Sequence, residues 1–215
     1  MMRYLCCAVL VLMLAPTISV AQDHSQKVTA NGALEAFGAL EAFGALEAFE
    51  KGDYAEAERL LALAAEQGDA DAQTFLGLMY DMSFGVAQDY AEAERLLALA
   101  AEQGHAEAQY FLGLKYDSGT GVAQDHAEAV KLYTLAAEQG NAQAQLSLGL
   151  KYALGEGAVQ NYATAHMWLN IAAANGSENA REARVAVEEA MTSGAVGLAQ
   201  KRATACMASA YRDCD

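Results

Sequence analysis

The chain is predicted to be all-α, a solenoid of about four helix pairs closed by a C-terminal helical cap. The phrase Asp-Tyr-Ala-Glu-Ala-Glu-Arg-Leu-Leu-Ala-Leu-Ala-Ala-Glu-Gln-Gly occurs twice, letter for letter, at Asp53–Gly68 and Asp89–Gly104. Looser copies follow at Asp125–Gly140 and Asn161–Gly176, and every step is 36 residues. A fixed step of this size means that each unit buries its apolar face against the next. The composition agrees: one proline in 215 residues, with abundant Ala, Leu, Glu and Gly, favours helix almost throughout. Helix-start and helix-stop residues also recur at the same place in each copy. Such an array offers an extended surface rather than a pocket, so binding is the expected function.

The chain opens on a predicted signal peptide, residues 1–21. Arg3 gives a basic start, Leu5 to Leu14 is apolar, Pro16 breaks the stretch, and Ser19-Val20-Ala21 has the small residues a signal peptidase needs. The apolar stretch is short for a membrane span, so cleavage after Ala21 and a periplasmic or secreted location are expected, without membrane insertion of the mature chain. Residues 22–31 are polar and read as a disordered tether. Residues 32–49 repeat Gly-Ala-Leu-Glu-Ala-Phe three times. The large apolar residues of that segment fall every third place, a stripe that drifts by about 60° per step around a helix. One flat face cannot bury all of them. The early copies either pack as an extra capping turn or expose Leu34 and Phe37 as a sticky patch.

The solenoid is predicted over residues 45–176. Its first helices read Ala72 to Tyr80, Ala108 to Tyr116 and Ala144 to Tyr152, with Ala, Leu, Gly and Tyr at common places on one side. Gly77, Gly113 and Gly149 sit mid-helix, where glycine costs roughly 1 kcal/mol against alanine. A cost repeated at one place implies that a neighbouring backbone comes too close to admit a side chain. Glycine-rich turns follow, such as Asp117-Ser118-Gly119-Thr120-Gly121-Val122; the copy at Asp81 to Val86 keeps only the second glycine. They lack the preceding strand and the lysine of a phosphate-binding loop and read as linkers. The second helices open on Asp53, Asp89, Asp125 or Asn161 as N-cap, with Glu56, Glu92 or Glu128 three places on, an Asp form of capping box. Gly68, Gly104, Gly140 and Gly176 stop them.

These residues resemble the Sel1-like repeat family, of tetratricopeptide-like architecture. Ala108, Leu112, Gly113, Tyr116, Gly119, Gly121, Val122, Asp125, Ala129, Ala136, Ala137, Glu138, Gln139 and Gly140 match its pattern in register. The resemblance implies a right-handed superhelix of α–α pairs, first helices on the concave side, serving as an adaptor for other proteins. Some exported relatives with a disulfide in each repeat bind or hydrolyse β-lactams, which gives the alternative function; this chain has no cysteine inside the repeats.

Residues 177–215 break the pattern and form the predicted cap, with helices expected from Asn179 to Met191 and from Ala195 to Tyr211. Cys206 and Cys214 remain once the leader is removed, and an even count in an exported chain suggests one disulfide. Met167 and Trp168 are expected to pack between the last repeat and this cap.

A net charge of −15 argues against nucleic acid and anionic membranes as partners, since both demand clustered Lys and Arg. Places that stay constant between repeats hold the fold, and places that vary are open to contact. A partner-binding groove is therefore expected over Thr74, Tyr110, Lys115 and Lys151, its two lysines favouring a carboxylate on a protein partner. His24, His105, His126 and His166 are scattered and read as surface residues. Glu66, Glu102 and Glu138 recur, but no His or Cys accompanies them at ligand spacing. No nucleophile–base pairing is legible. No catalytic residue, metal or cofactor is expected.

Overall fold

The computed structural model describes residues 44–212 and 214. The predicted signal peptide, the tether and the first two Gly-Ala-Leu-Glu-Ala-Phe copies lie outside the described residues. Among those described there are ten helices and no strand: α1 (44–50), α2 (Tyr54–Glu66), α3 (Ala70–Met82), α4 (Tyr90–Glu102), α5 (Ala106–Ser118), α6 (His126–Glu138), α7 (Ala142–Leu154), α8 (Tyr162–Ala174), α9 (Glu178–Glu188) and α10 (Ser193–Ala208). They form two compact units that divide between Gln103 and Gly104. The all-α fold expected from the 36-residue step is the one observed.

Asp53, Asp89, Asp125 and Asn161 cap α2, α4, α6 and α8, each side chain accepting a backbone N–H from the first turn. The expected capping box forms only by half. Glu56, Glu92 and Glu128 turn to Arg59, Arg95 and Lys131, each at 2.6 Å. The cap N–H groups of Asp53, Asp89, Asp125 and Asn161 donate instead to the carbonyls of Ala48, Tyr80, Tyr116 and Tyr152, at 2.9, 3.2, 2.8 and 2.9 Å. A main-chain acceptor held by the preceding helix leaves no donor for the glutamate to satisfy. His105 is no stray surface residue: it caps α5, where Asp69 and Asn141 cap α3 and α7, and its Nδ1 accepts from the Ala108 N–H at 3.3 Å.

The mid-helix glycines mark close packing, but chiefly against a side chain. A Cβ on Gly113 would lie 2.8 Å from the Tyr133 ring, and one on Gly149 would lie 2.7 Å from Leu169 Cγ. Gly77 meets Leu97 in the same way at 3.1 Å. The residue 20 places on, in the second helix of the same repeat, fills the space that a Cβ would take. The backbone comes next, as Ala93 O at 3.3 Å and Ala165 O at 3.2 Å.

The glutamine of Ala-Ala-Glu-Gln-Gly closes each repeat from the other end. Gln103 Nε2 donates to Gln73 Oε1 at 2.7 Å, Gln139 to Gln109 at 2.7 Å, and Asn175 Nδ2 to Gln145 at 2.8 Å. Buried Gln73 and Gln145 donate onward to Ala65 O and Ala137 O at 3.0 Å. Each amide is satisfied, and together they tie a first helix to the second helices on both sides.

In the first unit α1, the last Gly-Ala-Leu-Glu-Ala-Phe copy, buries Leu46 and Phe49 in a core with Leu61, Phe75, Leu76 and Met79. Phe49 stacks on Phe84 at 4.9 Å and meets Tyr54 edge-on at 5.2 Å. In the second unit α9 covers one side of α8, placing Ala180 and Val187 in a core with Ala165, Leu169 and Ala172. Helix α10 brings Ala203 and Cys206 into the cluster of Met167, Trp168 and Ile171, so Trp168 packs where the sequence suggests. Cys206 and Cys214 are disulfide-bonded. The loop they close carries Tyr211, whose ring lies over Gly140 and whose hydroxyl meets the Asn175 amide at 2.9 Å. His166, expected at the surface, is fully buried with Nε2 2.8 Å from Glu188 Oε1. Its side of α8 is covered by α9, which carries Glu188.

Candidate functional site

Three of the four residues expected to line a groove are buried. Thr74, Lys115 and Lys151 are only 2%, 3% and 7% exposed. Thr74 turns its hydroxyl back to the Ala70 carbonyl at 2.7 Å, within its own helix. Tyr110 is half-buried, 5.2 Å from the Phe111 ring and 6.0 Å from Tyr133, and burial raises its phenol pKa. Variation between repeats therefore does not by itself mean exposure. A place on a helix face can vary because its neighbours vary with it.

Lys151 leads to the most concentrated polar chemistry among the described residues. It stands in the last turn of α7 and places its Nζ against Asp117 Oδ1, in the last turn of α5, and 2.7 Å from Glu156 Oε2 in the following turn. His126, first residue of α6, brings Nδ1 to 2.6 Å from the same Asp117 oxygen. Tyr133, fully buried on α6, donates its hydroxyl to Asp117 Oδ2 at 3.4 Å. Gly157, at φ +73°, lies against the His126 carbonyl so closely that a Cβ would overlap it at 2.0 Å, which presses this turn onto the start of α6.

The electrostatics follow from partial burial with partners at hand. Burial raises the Asp117 carboxyl, but hydrogen bonds and charge from Lys151 and His126 outweigh it, and the net pKa is lowered. Burial works to lower the Lys151 ammonium, and its contacts with Asp117 and Glu156 outweigh that, so its pKa is raised. Burial and the Asp117 charge raise the Tyr133 phenol.

Asp117, His126 and Glu156 also offer ligand atoms within 4.8 Å of one another, a set that sequence spacing did not suggest. The Lys151 ammonium touches both carboxylates, so the resident cation of this cluster is the chain's own. A divalent ion would have to displace it.

The same junction in the first unit is built differently. The cap N–H groups of Asp53 and Asp125 bond Ala48 and Tyr116, so Phe49 takes the place of Asp117. By the 36-residue step Tyr54, Met79 and Phe84 take the places of His126, Lys151 and Glu156. Phe49, Tyr54 and Phe84 are in mutual ring contact, Met79 is buried, and Gly85 presses on the Tyr54 side chain where Gly157 presses on the His126 carbonyl. One junction is apolar and the other ionic, although both are closed by the same cap N–H to carbonyl bond. The signal was present in the sequence as Tyr54, Tyr90 and Tyr162 against His126. Only the fold brings it beside Glu156 and Asp117.

The Sel1 repeat family matches the chain over residues 43–69, 70–105, 106–141 and 142–177. Among solved structures the chain is similar to a Sel1 repeat protein from Oxalobacter formigenes, at 36% identity and a TM-score of 0.64, covering 66% of this chain and 59% of that one. It is also similar to c5321, a protective antigen present in uropathogenic Escherichia coli strains and displaying an SLR fold. There the identity is 25% and the TM-score 0.73, covering 94% of this chain and 47% of that one. The chain thus spans less than two thirds of the length of either structure. No curated protein matches it. With four repeat matches running from α1 through α8, and the caps, glycines and amide pairs in register beneath them, the chain belongs to the Sel1 repeat family.

Proposed function

We propose that this chain is a non-catalytic protein-interaction scaffold of the cell envelope, and that it contacts a protein partner around the ionic junction of Asp117, His126, Lys151 and Glu156. Sel1 repeats generally mediate protein interactions, and four of them make up most of this chain. One observation supports the location: the first unit holds the equivalent junction with Phe49, Tyr54, Met79 and Phe84 alone. Replacing a buried ionic set by packed apolar groups is commonly neutral or stabilising by about 1–4 kcal/mol. The fold therefore does not need the ions at this junction, and a role outside folding accounts for them.

The first-helix face expected from Thr74, Tyr110, Lys115 and Lys151 stays part of the proposal in altered form. Half-buried Tyr110 is its accessible member, and Lys151 acts by holding Asp117 and Glu156 in place. The junction sets two carboxylates, Asp117 and Glu156, against the one ammonium of Lys151. It favours a partner's amide or ammonium group rather than the carboxylate first expected. Export is part of the same proposal, supported by the leader-like residues 1–21 and by the Cys206–Cys214 bond.

The test is cross-linking in intact cells, comparing the wild-type chain with a set that removes the charges: Asp117→Asn, His126→Tyr, Lys151→Met and Glu156→Gln. The set is expected to fold, by circular dichroism, and to lose a partner that the wild type retains. Full retention of that partner would reject this location. Turnover of a chromogenic β-lactam in proportion to purified protein would reject the non-catalytic reading.

A further inference from the structure

Helix α8 shows how one flank of a second helix is covered, and the earlier second helices leave that flank open. By the 36-residue step, Met167 and Ile171 of α8 correspond to Arg59 and Leu63 of α2, Arg95 and Leu99 of α4, and Lys131 and Leu135 of α6. Ile171 is wholly buried, whereas Leu63, Leu99 and Leu135 are 38%, 37% and 48% exposed. The element that covers α8 is α10, which shares a core cluster with Met167, Trp168 and Ile171 through Ala203 and Cys206. Ala199, Ala203 and Cys206 are the buried residues of α10, at offsets of four and seven. They form a narrow stripe of small side chains on one helix face.

From this intrachain contact we infer that the flanks of α2 and α4 form a docking surface for an amphipathic helix of a partner protein. The partner helix carries small apolar residues at the first, fifth and eighth places. Where Met167 lies on α8, α2 and α4 carry Arg59 and Arg95, so the partner helix also carries a carboxylate at the edge of its stripe. The standing Glu56–Arg59 and Glu92–Arg95 pairs are exposed, and such pairs hold weakly enough for a partner's acid to share the guanidinium. Leu63 and Leu99, with Arg59 and Arg95 one turn before them, recur identically in the two helices of the first unit. The recurrence provides two equivalent seats, and a helix-in-groove partner reads such a surface through residues spaced four and seven apart.

This inference rests on the scaffold reading and adds a second surface to it. A photo-reactive phenylalanine is placed at Leu63, at Leu99 or at exposed Leu154, two residues before Glu156, in the full chain, cross-linked in its own cells, and the adduct peptides are sequenced. Adducts from positions 63 and 99 are expected on a segment with small residues at the stated spacing and an acid beside them. Arg59→Glu with Arg95→Glu is expected to lower those adducts about tenfold, the loss of roughly 1.4 kcal/mol at a contact of this kind. The same pair of changes is expected to leave circular dichroism and the position-154 adduct unchanged. Adducts from 63 and 99 on a segment without that pattern, or none from them while position 154 reacts, overturn the inference and leave the scaffold reading intact. No adduct from any of the three positions overturns both.

Discussion

Replacing Lys151 by methionine removes the ammonium and keeps most of the stem. In the wild type that ammonium meets Asp117 directly and Glu156 at 2.7 Å. An exposed ion pair contributes only ~0.2–1 kcal/mol, while stripping one partner from a fully buried pair costs ~3–5 kcal/mol. Lys151 and Asp117 are mostly buried, Glu156 is nearly half exposed, and Asp117 keeps His126 at 2.6 Å. The loss then falls between those limits, at about 2 kcal/mol. At ~2–4 °C per kcal/mol for a chain of this size, the melting temperature followed by circular dichroism at pH 7 drops by about 4–8 °C. The pH dependence has a definite sign. The Asp117 pKa is lowered in the folded state, so its contribution is present above its unfolded value and lost as pH falls through the folded one. The Lys151 pKa is raised, so its contribution is complete below its unfolded value and lost as pH rises through the folded one. The gap between wild type and variant is accordingly flat between about pH 5 and 9 and narrows on either side. Adding Asp117→Asn to Lys151→Met removes the stranded carboxylate and restores part of the loss. A drop below about 1 °C at pH 7, or one as large at pH 3 as at pH 7, refutes the reading of a coupled, partly buried cluster.

Three further outcomes follow from the packing. Gly149→Ala places a Cβ 2.7 Å from Leu169 Cγ and is expected to cost about 1–3 kcal/mol in denaturant unfolding, whereas Gly197→Ala in α10 meets nothing within 4 Å and gains about 0.5–1 kcal/mol. Gln109→Leu removes the acceptor of Gln139 Nε2 and is expected to cost about 1–3 kcal/mol, while the exposed Leu198→Gln stays within about 0.5 kcal/mol. Reducing the Cys206–Cys214 bond releases the loop that carries Tyr211. About 2–3 kcal/mol of loop-closure stabilisation is lost there, read as faster amide exchange in α10 with α2 to α4 unchanged.

Most of the helical plan was legible because it is local and repeated. The caps at Asp53, Asp89, Asp125 and Asn161, the stops at Gly68, Gly104, Gly140 and Gly176, and the apolar period are properties of short segments, and the 36-residue step shows which of them matter. Where reasoning from the segment went astray, the deciding partner lay elsewhere in the chain. Glu56 looked like half of a capping box until the Ala48 carbonyl took the Asp53 N–H. Gly149 does meet a neighbouring backbone, at Ala165 O, but the Leu169 side chain lies closer still. His105 and His126 looked adventitious. One is a cap at the place held by Asp69 and Asn141 in other repeats, and the other belongs to a cluster that nothing local reveals.

The candidate site divides the same way. That Lys115 and Lys151 replace Met79 could be read directly, and so could the change from tyrosine to His126. Whether those side chains face water could not, because exposure depends on what the next repeat places over them. The sequence alone determined the helices, their interval and the family they belong to, since spacing along one chain sets which faces can pair. Only the tertiary structure decided that Asp117, His126, Lys151 and Glu156 meet, because the stacking of one repeat on the next brings Lys151 onto Asp117, 34 places before it, and lets its ammonium bridge Asp117 and Glu156.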